Sequence, residues 1–291
     1  MANSPSHRFG QIIGDLLEEI IGPQLQKFCE QRGLFLDKKG RRGQARAGAK
    51  VSWLDGFGNS HDLDFVIEKG GTADTLGKPL AFIEVAWRRY TKHSRAKAQE
   101  IQGAVLPIAD KHFWDKPFLG AVLAGVFTEA SLQQMRSSGF ETVLFPYDTV
   151  VGAFASIEID VRFDETTPDD RFQRVVERID SLSVIERAKL KESLVAANRD
   201  LFARFMDDLR TVLDRQLDTI VVIPLHGNER EFSSVGDAVD YIEAYNQDAL
   251  ADGVFRKYEV IVRYSNGDKI DASFQTKRET VNFLRYLGSG A

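Results

Sequence analysis

A chain of 291 residues that is 43% hydrophobic can bury one large core or two ordinary ones, which excludes a disordered protein. Its longest nearly uninterrupted apolar run, "FLGAVLAGVF", falls well short of the ~20 residues that cross a bilayer, and "MANSPSHRFG" lacks an apolar signal core, so a cytoplasmic protein with no membrane partner is expected. The net charge of −5 divides into +2 over residues 1–150 and −7 over the rest, and the basic charge is clumped in "DKKGRRGQARAGAK" and "WRRYTKHSRAK", which leaves room for a local polyanion-binding surface.

In chain order, "FGQIIGDLLEEIIGPQLQKFCEQRG" places Ile12, Ile13, Leu16, Leu17, Ile20 and Ile21 at helical spacing, with Gly22-Pro23 as a break or kink. Cys29 is the single cysteine; it excludes an internal disulfide and a thiolate zinc site, and reads as a small buried helix residue. "KVSWLDG" and "HDLDFVIE" are strands joined by the turn "GFGNS", and "KPLAFIEVAW" is a third, mostly apolar and therefore central. A helix follows in "SRAKAQEIQGAVLPIADK", then the buried strand "FLGAVLAGVF", a helix "TEASLQQMRSSG" with Thr128 as N-cap, and the strand "TVLFPY". This order predicts an α/β core over residues 1–155 with a central mixed sheet flanked by helices.

Residues 156–217 are charged and helical throughout, starting at Thr167-Pro168-Asp169-Asp170, and read as a helical connecting segment. Residues 218–291 read as a small α+β module carrying a weak ββα repeat, in which Phe232, Val239, Tyr241 and Ile242 align with Phe274, Val281, Phe283 and Leu284. A role for this module in DNA recognition or dimerisation is the expectation.

Acidic residues on strands carry the functional signal. Alternation puts Asp62 and Asp64 on one face of their strand, and Glu84 on a face with Ala86 and Arg88 of the next. If those strands are neighbours, an Asp and a Glu converge, and their repulsion is relieved by a divalent cation with a preference for oxygen, Mg²⁺ or Mn²⁺. Taken singly, each acid has a structural explanation: turn amides for Asp62, an ion pair for Asp64 or Glu84. Jointly those explanations weaken, because Glu84 sits inside the apolar "LAFIEVAW", where an unpaired carboxylate is costly. No Walker motif, GxSxG elbow or dinucleotide fingerprint is present, which removes support for a nucleotide cofactor or serine hydrolysis.

Helix, hairpin, an Asp on one strand and a Glu on the next: this order resembles the PD-(D/E)XK nuclease superfamily, most of all its Type II restriction endonucleases, over about residues 8–150. The resemblance implies magnesium-dependent cleavage of duplex DNA at a short specific sequence, and a homodimer. Carried over by position, it implies Asp64 as first acidic ligand, with Asp62 as its alternative, Glu84 as second, and Glu18 or Glu19 as an extra acid from the opening helix. The family's lysine belongs two residues after the glutamate, where this chain has Ala86. Three explanations stand: a cation from elsewhere fills the place, with Lys97 favoured over Arg88 and Lys92; the protein binds without cutting; or Ala86 is an introduced substitution. Lys39, Arg41, Arg42, Arg46, Arg88, Lys92 and Arg95 would contact phosphates or guanines. A structure- or end-directed repair nuclease and a non-catalytic DNA-binding protein on the same fold are the rivals.

Overall fold

The computed structural model describes residues 4–91, 94–225, 228–248 and 255–289. The chain divides into two compact units, residues 1–209 and 210–291.

The first unit opens with helix α1 (Pro5–Glu30), whose N-cap Ser4 accepts the His7 N–H. Of the break or kink expected at Gly22-Pro23, a break is absent: the helix runs through it. Pro23 removes one intrahelical hydrogen bond, a cost of ~3 kcal/mol, but burial on both sides of it outweighs that loss: Ile20, Ile21, Leu25, Phe28 and Cys29 are all buried, at ~1.5–3 kcal/mol for each large apolar side chain. Gly22 lies against the Phe65 ring, so the small residue serves packing.

After α1 come β1 (Phe35–Lys38), β2 (Val51–Leu54), β3 (Ser60–Leu63), β4 (Phe65–Lys69), β5 (Lys78–Arg88) and helix α2 (Ser94–Lys111). Then follow β6 (Phe118–Gly125), α3 (Glu129–Ser137), β7 (Phe140–Pro146) and α4 (Tyr147–Ala155). A five-stranded sheet in the order β1-β4-β5-β6-β7 forms the centre, with antiparallel pairing from β1 to β5 and parallel pairing from β5 to β7. This is an α/β fold with a mixed central sheet flanked by helices, and β5 is its middle strand as its apolar sequence predicts. Val66, Phe82, Ala86, Ala121 and Leu123 on one face share a hydrophobic cluster with Ala98, Ile101, Val105 and Ile108 of α2. On the opposite face Trp87 packs edge-on to Phe9 of α1. β2 and β3 form a separate two-stranded ribbon.

The segment expected to connect domains is three helices, α5 (Asp169–Asp180), α6 (Val184–Ala197) and α7 (Arg199–Leu213). α5 and α6 pack against α1, so they belong to the first unit rather than spanning a gap. Among the described residues, no helix is long and apolar enough to cross a membrane.

The second unit contains β8 (Leu217–Pro224), β9 (Arg230–Phe232), α8 (Val235–Ala244), β10 (Tyr258–Tyr264), β11 (Lys269–Phe274) and α9 (Lys277–Ser289). Its antiparallel sheet runs β11-β10-β8-β9, and α8 packs against α9. The ββα repeat is therefore present in three dimensions. Phe232 meets Tyr241 at 5.3 Å between ring centroids and 38°, and Phe274 meets Phe283 at 5.1 Å and 37°.

Candidate active site

The site begins where a strand is interrupted. β4 pairs with β5 so that Phe65 faces Ile83 and Val66 faces Phe82; one step further, the same register sets Asp64 opposite Glu84. At that step side chains replace the backbone ladder. Glu84 Oε1 accepts the Asp64 N–H at 3.2 Å, and Asp64 Oδ2 accepts the Val85 N–H at 2.7 Å. Asp64 thus stands alone between β3 and β4, and the two acids, directly opposed on an antiparallel pair, project to one face. Ala121 neighbours Glu84 on β6.

Burial makes this pair expensive. Glu84 is only 8% exposed, and its carboxyl is pushed well above the ordinary carboxylate range, first by desolvation and then by the Asp64 charge. Asp64 is raised by burial, against which the Val85 hydrogen bond, Lys97 and Lys39 act in the other direction. Glu18 of α1 joins from the side: burial, followed by the charge of Asp64, raises it to about 7. The Asp64 charge therefore acts on both Glu84 of β5 and Glu18 of α1. Lys97 of α2 is largely buried and acts electrostatically on both Asp64 and Glu84. Its ammonium donates to Glu100 Oε1 at 2.6 Å, and Arg88 reaches the same carboxylate at 3.4 Å.

Other expected site residues are placed elsewhere. Asp62 lies on the ribbon, where Lys50 and the Ser52 hydroxyl donate to it, both at 2.6 Å, and hold its pKa down. Glu19 turns toward α6 and accepts from Arg187 and Lys191, whose hydrogen bonds lower its pKa. Glu18, not Glu19, is the helix acid at the cluster. At 100° per residue the two flank the apolar stripe of α1 on opposite sides, so periodicity does not say which side meets the strands.

The basic residues divide in the same way. The Arg42 side chain is 3% exposed and is consumed by Asp37, Glu68 and the carbonyls of Thr72 and Thr75. Arg46 donates to Asp37 and to the carbonyls of Lys38 and Gly48. Both are internal ties of the loop after β1 and present no donor face to a phosphate, contrary to the reading from their clustering. Lys39, Arg41 and Arg95 are exposed. Lys92 lies outside the described residues, as does His93. A cleft of about 600 Å³ opens beside Glu18 and Lys39, with Arg187 and Phe65 on its wall.

Ala86 is 3% exposed and packed in the hydrophobic cluster with Ala98 and Ile101. Its small side chain lets α2 approach β5, and that approach brings Lys97 to the carboxylates.

Among the described residues, no group of three or more His, Cys, Asp or Glu stands together at metal-ligating distance. What the fold offers is a pair of opposed carboxylates with Glu18 nearby. That donor set is all oxygen and suits Mg²⁺, which keeps several waters and takes one or two carboxylates.

No protein-family model and no curated protein matches the chain. A solved structure described as a protein of unknown function, AF1548, is similar at 12% identity over 65% of this chain and 99% of that one, with a TM-score of 0.27.

Proposed function

We propose that the chain is a Mg²⁺-dependent endodeoxyribonuclease of the PD-(D/E)XK type, acting on duplex DNA. The observation that carries this reading is the reciprocal, mutually repelling pair of half-buried Asp64 and buried Glu84, with Glu18 and Lys97 acting on it electrostatically. Asp64 and Glu84 would hold the cation, with Glu18 beside them. When bound, the cation would polarise the phosphoryl group and ease deprotonation of the attacking water.

The chain's own residues do the remaining work. Lys97 supplies the cation that the motif position lacks: its ammonium exchanges Glu100 for a phosphate oxygen and stabilises charge developing there. Lys39, Arg41, Arg88 and Arg95 hold the flanking phosphates and fix register. Because duplex sites of restriction type are two-fold symmetric, a homodimer belongs to this reading. The second unit would then serve recognition or assembly.

Alanine at position 86 favours a second reading, a DNA-binding protein that does not cut. Lys97 beside both carboxylates speaks against it. Incubating a long linear duplex DNA with the protein, with and without Mg²⁺, and sequencing the ends decides between them. Metal-dependent fragments with a shared end sequence support a restriction-type enzyme. Fragments with scattered ends support a structure- or end-directed nuclease, and intact DNA defeats the catalytic reading.

A further inference from the structure

The β2–β3 ribbon ends in a feature that the catalytic reading leaves unused. Phe57, at its tip, is 92% exposed, and Leu54 beside it is 51% exposed. The tip is not loose. Buried Asp55 accepts from the N–H groups of Phe57 and Asn59 at 2.8 and 2.9 Å, from Asn59 Nδ2 at 2.9 Å, and pairs with His61 Nε2 at 3.1 Å. The Asp55 N–H closes the loop on the Asn59 carbonyl at 2.9 Å, and Gly58 takes φ +87°, a conformation that favours glycine. Along the ribbon, Val51, Trp53 and Leu63 are anchored in the hydrophobic cluster, and near the tip Lys111 donates to the Leu54 carbonyl at 3.0 Å. A fold that fixes a turn this firmly and then holds a phenyl ring in water forgoes ~1.5–3 kcal/mol of burial for that ring.

The position of the tip says what it would meet. β3 runs from the tip straight into Asp64, so at ~3.3 Å per residue the ring stands roughly 20 Å along the ribbon from the carboxylate pair. That is inside one turn of a duplex, about 34 Å. Exposed Lys50 stands at the ribbon's base, where it pairs with Asp62, and exposed Lys111 reaches the ribbon at Leu54, near the tip. An apolar ring on a stiff arm with a lysine near its tip is suited to wedge between stacked bases while the cation holds the backbone.

We propose that Phe57 is a wedge that enters a base step of the bound duplex, within one helical turn of the cleaved phosphate. This inference rests on the nuclease reading and adds to it a contact that distorts the substrate. Insertion unstacks the step and fixes the duplex against the site.

The test uses the full-length protein carrying Phe57→Trp and, separately, Phe57→Ala. Emission of the tryptophan introduced at the tip is followed, as the difference from the parent, with Ca²⁺ present during titration with a 30-base-pair duplex or with heparin. The inference expects that emission to be quenched and shielded from iodide by the duplex, and left unchanged by heparin, which offers charge without bases. Phe57→Ala should weaken duplex binding about tenfold, the scale of losing one aromatic–base contact, while its salt dependence stays that of the parent. Duplex binding with an iodide-accessible tip and an unaffected Phe57→Ala variant overturns the wedge and leaves the nuclease reading standing. Shielding that depends on protein concentration without DNA overturns it in favour of self-association through the tip. Absence of any duplex binding by the parent overturns both.

Discussion

Asp64 and Glu84 each hold the other's strand: Glu84 accepts the Asp64 N–H, and Asp64 accepts the N–H of Val85, the residue that follows Glu84. The sheet thus continues through two carboxylates at the point where its backbone ladder stops. Such a joint stores repulsion that a bound cation would release, so the apo protein should be less stable for having it.

The first prediction follows directly. Asp64→Asn and Glu84→Gln keep the shape and remove charge, so each should raise the apo Tm at pH 8 by a few degrees while abolishing cleavage. Adding Mg²⁺ should raise the parent's Tm and leave the variants' nearly unchanged. Differential scanning calorimetry in EDTA and in Mg²⁺ checks both statements.

Glu18 sets a pH dependence. Its folded pKa, raised to about 7 from an unfolded value near 4.5, means that the folded state binds the extra proton. The stability this confers is complete below the unfolded pKa and is lost as pH rises through about 7. Without metal, the parent should lose stability between pH 5 and 8, and Glu18→Gln should flatten that slope. Urea denaturation across this pH range in EDTA reads it.

Lys97 and Ala86 separate position from charge. Lys97→Ala should slow single-turnover cleavage by 100-fold or more, on the scale of losing one preorganised donor, with duplex binding retained. Ala86→Lys should not rescue it. That position is packed against α2, so the longer side chain should cost ~1–3 kcal/mol by overpacking alone. Rescue of the Lys97→Ala rate by Ala86→Lys would show that the strand position still addresses the site.

The basic loop should divide into two classes. Arg42→Ala leaves Glu68 buried without its arginine and Asp37 with Arg46 alone, a loss of ~3–5 kcal/mol, and should be seen in chemical denaturation. Lys39→Ala and Arg41→Ala should leave stability nearly unchanged and reduce the salt slope of DNA binding by about one each. Parallel denaturation and salt-titrated binding on the three variants check the division.

Much of this was legible in the sequence, for identifiable reasons. α2 lies where its composition and flanking residues place it, and Thr128 caps α3 as expected, accepting the Ser131 N–H. The alignment of Phe232 and Tyr241 with Phe274 and Phe283 also followed from local pattern; that the two rings of each repeat meet is seen only in the fold. Legibility failed where tertiary contacts decide. "HDLDFVIE" reads as one strand, yet it breaks at Asp64 because Glu84, distant in sequence, captures that N–H. β1 and α4 carried too little periodicity to be seen, and Pro23 was overruled by burial on both sides. Arg42 and Arg46 read as surface charge because nothing local shows that Asp37 and Glu68 wait beneath the loop.

Metal-dependent cleavage of DNA at Asp64 and Glu84 is the proposal on which the rest depends. Its most direct test is the Mg²⁺-dependent single-turnover cleavage of a long duplex by the parent and by Glu84→Gln, at equal folded concentration. The parent should give discrete products, none in EDTA, and Glu84→Gln a rate reduced by at least ~1,000-fold, about 4 kcal/mol of transition-state stabilisation. Cleavage by Glu84→Gln at the parent's rate would contradict it.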